Sequence, residues 1–326
     1  MGDKVYEHFL AFPWRDCFDV HPSPQDACLE CVIVEPRPHK NLAGVLRNVS
    51  SMLPYAALTI VSSEENYDFV ERIVNPNTTN VRIRAPVKGN LTLSQYNDLL
   101  TCPDFWSDMT CERTLIFQTD AGILKNNILR YMEYDYIGAP WSWKVCSDPN
   151  VVVGNGGFSL RCPKWMKHIA DNFKRDAHEA EDIFYARHLT KYPGAYMPSY
   201  GIASDFSIEH NKSTDPMAFH KAYKFQKRAS QLLDVGSYIH CELPKVINAW
   251  VQTGSGYCTP VDKKWLQTGI SSYGGFILPT DTLIRESDKK DDEHLHILFG
   301  DSHHIDIPLK KGRTIGHWQK CRYRST

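Results

Sequence analysis

The stretch LIFQTDAGIL, Leu115–Leu124, decides how this chain is read. Leu115, Ile116 and Phe117 form a short apolar run of strand character, Gln118 and Thr119 a polar step, and Asp120 a lone carboxylate two residues before Gly122. Two readings are open for Asp120. It is a ligand at a strand's carboxyl end, where a hard oxygen suits Mg2+ or Mn2+. Or it caps a turn or the helical stretch NNILRYM that follows.

Upstream, apolar runs alternate in kind. CVIVEP (Cys31–Pro36) is a β-branched strand stopped by proline, and LAGVLRNVSSML (Leu42–Leu53) spaces Leu42, Val45, Leu46, Val49 and Leu53 as one helix face. ALTIVSS (Ala57–Ser63) is a strand, NYDFVERIV a short helix, VRIRAP (Val81–Pro86) a strand and LSQYNDLL (Leu93–Leu100) a helix, before RTLIFQTD. Strand–helix alternation predicts an α/β layer with a mainly parallel sheet. Such sheets bind ligands at the carboxyl ends of their strands, where Glu35, Arg37, Ser62, Lys88 and Asp120 fall.

Downstream, YDYIGAPW (Tyr134–Trp141) and VVVGNGGFSL (Val151–Leu160) read as glycine-broken strands. Helices are expected from Pro163, with Met166, Ile169, Ala170 and Phe173 on one face, and from Glu181 through IFYARHL. Beyond Leu232 short aromatic and β-branched runs alternate with turn residues, the pattern of a smaller β-rich module. The expected division is an N-terminal extension 1–27, an α/β domain 28–228 and a β-rich C-terminal module 229–326.

A length of 326 residues accommodates this division, and a net charge of −1 supplies no broad field for nucleic acid. The N-terminus lacks a basic flank before an apolar run, and no apolar stretch is long enough to span a bilayer. The ten cysteines have no repeating spacing. Cys28-x-x-Cys31 has no second pair to complete a zinc ribbon. A soluble, cytoplasmic protein with reduced thiols is expected. On that expectation the N-x-S/T sequons at Asn48, Asn77, Asn90 and Asn211 stay unmodified.

Four further constellations carry chemistry or its ordinary alternative. Gly154, Gly156 and Gly157 in VVVGNGGFSLR allow a ligand, or a neighbouring strand, to approach the backbone closely. The dinucleotide pattern fails there, because Ser159 stands at its third glycine. Glu179, Glu181 and Asp182 precede a helix, as a base held ionised by a helix N-terminus or as simple charge complementarity. His220 in PMAFHKAYKF is a metal ligand or a packed side chain. Trp141 and Trp143 stack on a sugar or pack under a loop.

Taken in order, IFQTDAGIL, YDYIGAPW, GNGGFSLR, EDIFYARHL and FHK, behind VIVEPR, resemble the nucleotide-sugar glycosyltransferases of the GT-A fold. They are most similar to a small glycosyltransferase-like family of large DNA viruses, bacteria and fungi. The resemblance covers roughly residues 28–225 and leaves out the tail. It implies an α/β, GT-A-like domain that moves a hexose or pentose from a nucleotide-sugar donor (UDP- or GDP-sugar) to a glycan or glycoconjugate. In that family's Asp-x-Asp motif the last aspartate holds a divalent cation, Mn2+ or Mg2+. Here the motif position reads Gln118-Thr119-Asp120, so the first carboxylate is replaced. The resemblance further implies His220 as a metal ligand, Glu35 and Arg37 at the base and ribose, and Lys88 nearby. Trp141, Asn155, Gly156 and Gly157 would lie at the donor sugar and acceptor, and Glu181 and Asp182 at the catalytic base of an inverting transfer.

Two other expectations compete. The altered metal motif fits a catalytically inert carbohydrate-binding protein. GDSHHIDIP, with Asp301, His303, His304 and Asp306, follows His294 and His296 and precedes His317, a candidate metal site in the tail.

Overall fold

The computed structural model describes residues 2–12, 14, 17–74, 81–141 and 153–225, and then five strand segments between 249 and 308. Trp143, Asn77, Asp301, His317 and the first residues of the expected C-terminal module lie outside the described residues. The chain divides into two compact units, Met1–Glu242 and Leu243–Thr326.

The first unit opens with α1 (Gly2–Leu10), then β1 (Leu29–Val34), α2 (Leu42–Met52), β2 (Ala57–Ser63), α3 (Tyr67–Val74), β3 (Arg82–Val87), α4 (Leu93–Leu100) and α5 (Pro103–Ser107). It continues through β4 (Arg113–Phe117), β5 (Ala121–Ile123), β6 (Tyr136–Gly138), β7 (Phe158–Arg161), α6 (Pro163–Asn172) and α7 (Glu181–Leu189). It closes with α8 (Tyr200–Phe206), β8 (Ser207–Ile208), β9 (Ala218–His220) and α9 (Ala222–Phe225).

The main sheet has the order β3-β2-β1-β4-β7-β6. Strands β1, β2, β3 and β4 run parallel, while β7 is antiparallel to both β4 and β6. Every residue of β1 and β2 is buried. Helices cover both faces of such a sheet, which is why its central strands read as unbroken β-branched runs. The edge strand β3 is half-buried and holds Pro86, which an edge tolerates. On α2 the predicted stripe of Leu42, Val45, Leu46 and Val49 is buried. A capping box starts α4: Gln95 N–H donates to Thr92 Oγ1 at 3.2 Å, and Thr92 N–H to Gln95 Oε1 at 2.8 Å.

Under one face of the sheet lie Trp106, Tyr136, Met166, Ile169, Phe184 and Tyr185, packed against Val32 and Ile116. Trp141 belongs to this cluster and is 6% exposed. The residue expected as a sugar platform is therefore packed in the core cluster. Four helices have no counterpart in the sequence reading: α1 within the N-terminal extension, α5, α8 and α9. Tyr6 and Phe9 of α1 are buried, and Tyr6 stacks on Tyr223 at 4.5 Å. The stretch read as a helix after Asp120 is a single 3-10 turn, Ile128–Tyr131.

A small second sheet, β5-β9-β8, sets the site. Strand β5 pairs antiparallel with β9, with Ala121 opposite His220. That register carries Asp120 to the start of the Lys221 turn, about one hundred residues away in sequence.

The second unit contains β10 (Ala249–Gln252), β11 (Cys258–Pro260), β12 (Thr282–Arg285), β13 (His294–Phe299) and β14 (His303–Pro308), in the order β11-β10-β12-β13-β14. The register of β13 and β14 sets His296 opposite Asp306 and Leu298 opposite His304. Among the described residues no helix is long and apolar enough to cross a membrane.

Candidate active site

Asp120 lies on the turn between β4 and β5, at the carboxyl edge of the main sheet. Its Oδ1 is 3.2 Å from His220 Nε2, and its Oδ2 is 3.8 Å from both Lys221 Nζ and Lys224 Nζ. Burial alone would push the Asp120 carboxyl up. The hydrogen bond and charge of His220, with the two lysines, outweigh it and bring the group to about 2. His220 is buried, which disfavours its charged form, yet the bonds to Asp120 and Glu209 outweigh this and hold it above its ordinary value.

The neighbours of His220 define what it can hold. Its Nδ1 is 3.1 Å from Glu209 Oε1 and 3.0 Å from Asn155 Oδ1. Asn155 is oriented by donating Nδ2–H to Glu209 Oε2 at 2.6 Å and accepting Gly157 N–H at 3.1 Å. Nδ1 thus faces acceptors and carries a proton. Nε2 faces Asp120 Oδ1 and Gln118 Oε1, the latter at 3.2 Å, while Gln118 Nε2 donates to Tyr96 Oη at 3.1 Å. The hydrogen bond to Asp120 places a proton on Nε2; without that proton, Nε2, Asp120 Oδ1 and Gln118 Oε1 are three lone-pair atoms that a metal ion could share.

The donor set fits a hard divalent cation. It offers one carboxylate, one imidazole nitrogen and one amide oxygen, with a carboxylate on the far imidazole nitrogen as metal-bound histidines commonly have. Among the described residues no group of three or more His, Cys, Asp or Glu side chains is placed to hold a metal ion. An ion here would take its remaining ligands from water and from a bound phosphate, as Mg2+ and Mn2+ do.

Asp120 opens onto two clefts. The first, of about 340 Å³, is lined by Glu35, Arg37, His39, Asn90–Leu93, Tyr96, Gln118, Thr119, Asp120 and Lys221. Glu35 is buried and bound to its neighbour: Arg37 Nε donates to Oε1 at 2.8 Å and Arg37 Nη2 to Oε2 at 3.0 Å. This fork holds the guanidinium, half-exposed, against the cleft wall. The second cleft, of about 620 Å³, adds Lys4, Tyr6, Glu7, Lys40 and Lys224 around the same Thr119 and Asp120. Tyr6 Oη lies 2.9 Å from Thr119 O and 2.8 Å from Ala121 O, so α1 fixes the peptides on both sides of Asp120. Lys88 is exposed beyond the end of β3 and lines neither cleft.

The glycine-rich segment passes beneath His220. A Cβ on Gly157 would collide with the imidazole ring, and one on Gly156 with the Glu181 carboxylate, so both positions demand the absence of a side chain. Gly156 N–H donates to Asp182 Oδ2 at 2.9 Å, and Ile183 N–H to Asp182 Oδ1 at 2.8 Å. Burial, then the charge of Glu181, raises the Asp182 carboxyl to about 6. Glu181 itself is committed elsewhere. Both its oxygens bind Arg161, at 2.5 and 3.0 Å. Arg161 is fully buried, with its guanidinium 4.9 Å from the Tyr136 ring centroid. The acidic pair thus separates into a buried counter-ion, Glu181, and a half-buried carboxylate, Asp182.

The structure brings Gln118, Asp120, Asn155, Gly157 and His220 into one hydrogen-bonded group and links Asp182 to it through Gly156. Glu35 and Arg37 stand across the first cleft. Lys88 and Trp141 are elsewhere. Sequence reasoning missed Glu209, Arg161, Lys221, Lys224 and Tyr6. The two lysines were visible in FHKAYKF, and Tyr6, Phe9 and Leu10 have helical spacing.

A family model described as "Protein of unknown function (DUF5672)" matches residues 83–220, a span that runs from β3 to His220. No curated protein matches the chain in sequence. Among solved structures, the chain is similar to mouse xyloside xylosyltransferase 1 in its apo form, at 12% identity and a TM-score of 0.39, over 64% of this chain and 99% of that one. It is similar to the galactosyltransferase LgtC, solved with donor and acceptor sugar analogues, at 13% identity and a TM-score of 0.43, over 72% and 98%. It is also similar to 4-diphosphocytidyl-2C-methyl-D-erythritol synthase from Anaerococcus prevotii, at 10% identity and a TM-score of 0.34, over 67% and 98%.

Proposed function

We propose that this protein is a glycosyltransferase that moves a sugar from a nucleoside-diphosphate donor to a hydroxyl of a glycan or glycoconjugate, with inversion at the anomeric carbon. The observation that carries this reading is the convergence of Asp120, His220 and Gln118 at the carboxyl edge of a parallel sheet. It lies beside a cleft edged by Arg37 and Lys221. A nucleoside diphosphate is an anion of matching chemistry, and its base and ribose would lie against Glu35, Arg37 and the Asn90–Leu93 loop.

Asp120 and His220, with Gln118 Oε1, would hold Mn2+ or Mg2+. When bound, that ion offsets negative charge on the diphosphate. The remaining chemistry belongs to the chain. Asp182, its oxygens fixed by Gly156 and Ile183, takes the proton of the acceptor hydroxyl. The acceptor oxygen forms its bond to the anomeric carbon as the bond to the diphosphate oxygen breaks, and the diphosphate leaves with the electron pair. A carboxyl near 6 suits a general base, because it is ionised at neutral pH yet more basic than an exposed aspartate. Glu181 and Arg161 hold the start of α7, and Asn155 and Glu209 hold His220.

The test is a panel of UDP- and GDP-sugars, with and without Mn2+, scored by thermal shift and by donor hydrolysis. A shift and turnover with at least one donor is expected. Binding of free sugars with no turnover of any donor would replace the transferase by an inert carbohydrate-binding protein.

A further inference from the structure

We propose that Lys221 is a diphosphate-binding residue whose strained backbone is retained to aim its ammonium group into the first cleft; this rests on the transferase reading above. Among the described residues, Lys221 is the one non-glycine residue with positive φ, at 54°. That left-handed conformation disfavours ordinary L residues and is accepted readily by glycine and by asparagine. Strain of this kind persists where surrounding structure enforces it, and it gathers at ligand sites. The enforcement here is visible. His220 is fixed in β9 by its pairing with Ala121, Lys221 N–H donates to Asp120 O at 3.0 Å, and α9 begins at once with Ala222.

Nothing in that backbone role calls for a lysine side chain. The side chain lines the first cleft and remains 34% exposed, with Nζ 3.8 Å from Asp120 Oδ2. Lys224 approaches the same oxygen at the same distance from the second cleft. Two ammonium groups therefore share one carboxylate, while Arg37 is matched by Glu35. The strand end holds more positive than negative charge on its open side. A bound diphosphate would meet Lys221 as it crosses Asp120. When the bond to the sugar breaks, the added negative charge on the departing phosphate falls beside that ammonium, and no proton needs to move.

The experiment uses the full chain and calorimetric titration with inorganic pyrophosphate, UDP and GDP, in Mn2+ and in chelator, beside thermal denaturation. The variants are Lys221→Gly and Lys221→Asn, which both accept the backbone, and Lys221→Arg, which keeps the charge. Losing one charge-assisted hydrogen bond corresponds to about tenfold in affinity. Lys221→Gly and Lys221→Asn are expected to bind pyrophosphate and the preferred nucleotide about tenfold more weakly while melting no lower than wild type. Lys221→Arg restores most of the affinity. A residue with a purely structural role cannot lose binding while stability holds or rises. Unchanged affinity in both neutral variants, or stability and affinity falling together, would overturn the proposal, as would a wild type that binds neither pyrophosphate nor a nucleoside diphosphate. Lys221-dependent pyrophosphate binding without turnover of any sugar nucleotide upholds this inference and removes the transferase reading. Turnover with an unchanged donor KM in Lys221→Gly does the reverse.

Discussion

Replacing Asp182 by asparagine separates catalysis from stability in one variant. Burial and the neighbouring Glu181 raise the Asp182 carboxyl from 3.8 to about 6. Roughly two pKa units correspond to about 3 kcal/mol of penalty on the ionised form in the folded state. The raised value means that the native state binds the proton more tightly than the unfolded chain. Its stabilising contribution is therefore complete below 3.8 and is lost as pH rises through about 6. Asparagine carries no such penalty. It has one acceptor oxygen, however, where Asp182 accepts from both Gly156 N–H and Ile183 N–H. One amide is left without its partner, at a cost of about 1–3 kcal/mol. Near pH 4 Asp182→Asn is expected to be the less stable protein by that amount. Between pH 4 and 7 the difference should swing by about 3 kcal/mol in the variant's favour, whatever the hydrogen-bond loss. Transfer, by contrast, should fall about 10²–10⁴-fold, with donor binding little changed. In the wild type, transfer should rise with pH through about 6. The assays are urea unfolding at stepped pH and product analysis with the donor identified by screening. Parallel stability curves for the two proteins would refute the electrostatic argument. Near-normal transfer by the variant, or a product of retained anomeric configuration, would refute the mechanism.

Other expectations follow from the same contacts. Asp120→Asn and His220→Ala should each lose Mn2+-dependent nucleotide binding, read by calorimetry, with Asp120→Asn the more severe because it removes the carboxylate from the Asp120, His220 and Gln118 donor set. Gly157→Ala should push His220 off Asn155 and Glu209, costing about 1–3 kcal/mol of stability by overpacking and weakening metal-dependent binding. Glu181→Gln should destabilise by about 3–5 kcal/mol, since it leaves the Arg161 guanidinium unpaired in the core; chemical denaturation measures it. Gln118→Asp should tighten Mn2+ binding by supplying a second carboxylate, a change seen in the metal titration of the free protein.

The parallel sheet was legible because its central strands are buried on both faces. That burial demands unbroken runs such as CVIV and ALTIV, and a run of this kind has few other interpretations. Asp120 was legible as a strand end for the same reason. What surrounds it was not. Glu209 lies in the short connection between β8 and β9, and its meaning comes from Asn155 and His220, which only the β5–β9 pairing brings near. No local pattern marks such a residue. Arg161 reads as an ordinary strand charge in FSLR, and is buried only because Glu181 meets it from α7. Trp141 closes the glycine-broken strand YDYIGAPW, where a sugar platform and a packed ring read alike, and the chain turns its ring into the core. The helix α1 had a usable signal, since Tyr6, Phe9 and Leu10 fall on one helical face, though its partners Phe219 and Tyr223 are far away in sequence.

On the transferase reading, Gln118 would let a single carboxylate serve at this strand end. A second aspartate in its place would put three carboxylates, with Asp120 and Glu209, around the single imidazole of His220. Glutamine instead keeps an oxygen toward Nε2 and turns its amide hydrogens to the Tyr96 hydroxyl, a donor role that no ionised aspartate could fill. The charge absent at 118 shifts the balance toward Lys221 and Lys224, whose ammonium groups already flank Asp120. On that reading, a metal ion at the Asp120–His220 pair and the ammonium groups of Lys221 and Lys224 that would meet an incoming phosphate are separate cations. On the transferase reading, the resulting site holds an anion partly on its own charges and depends on a divalent ion for the remainder.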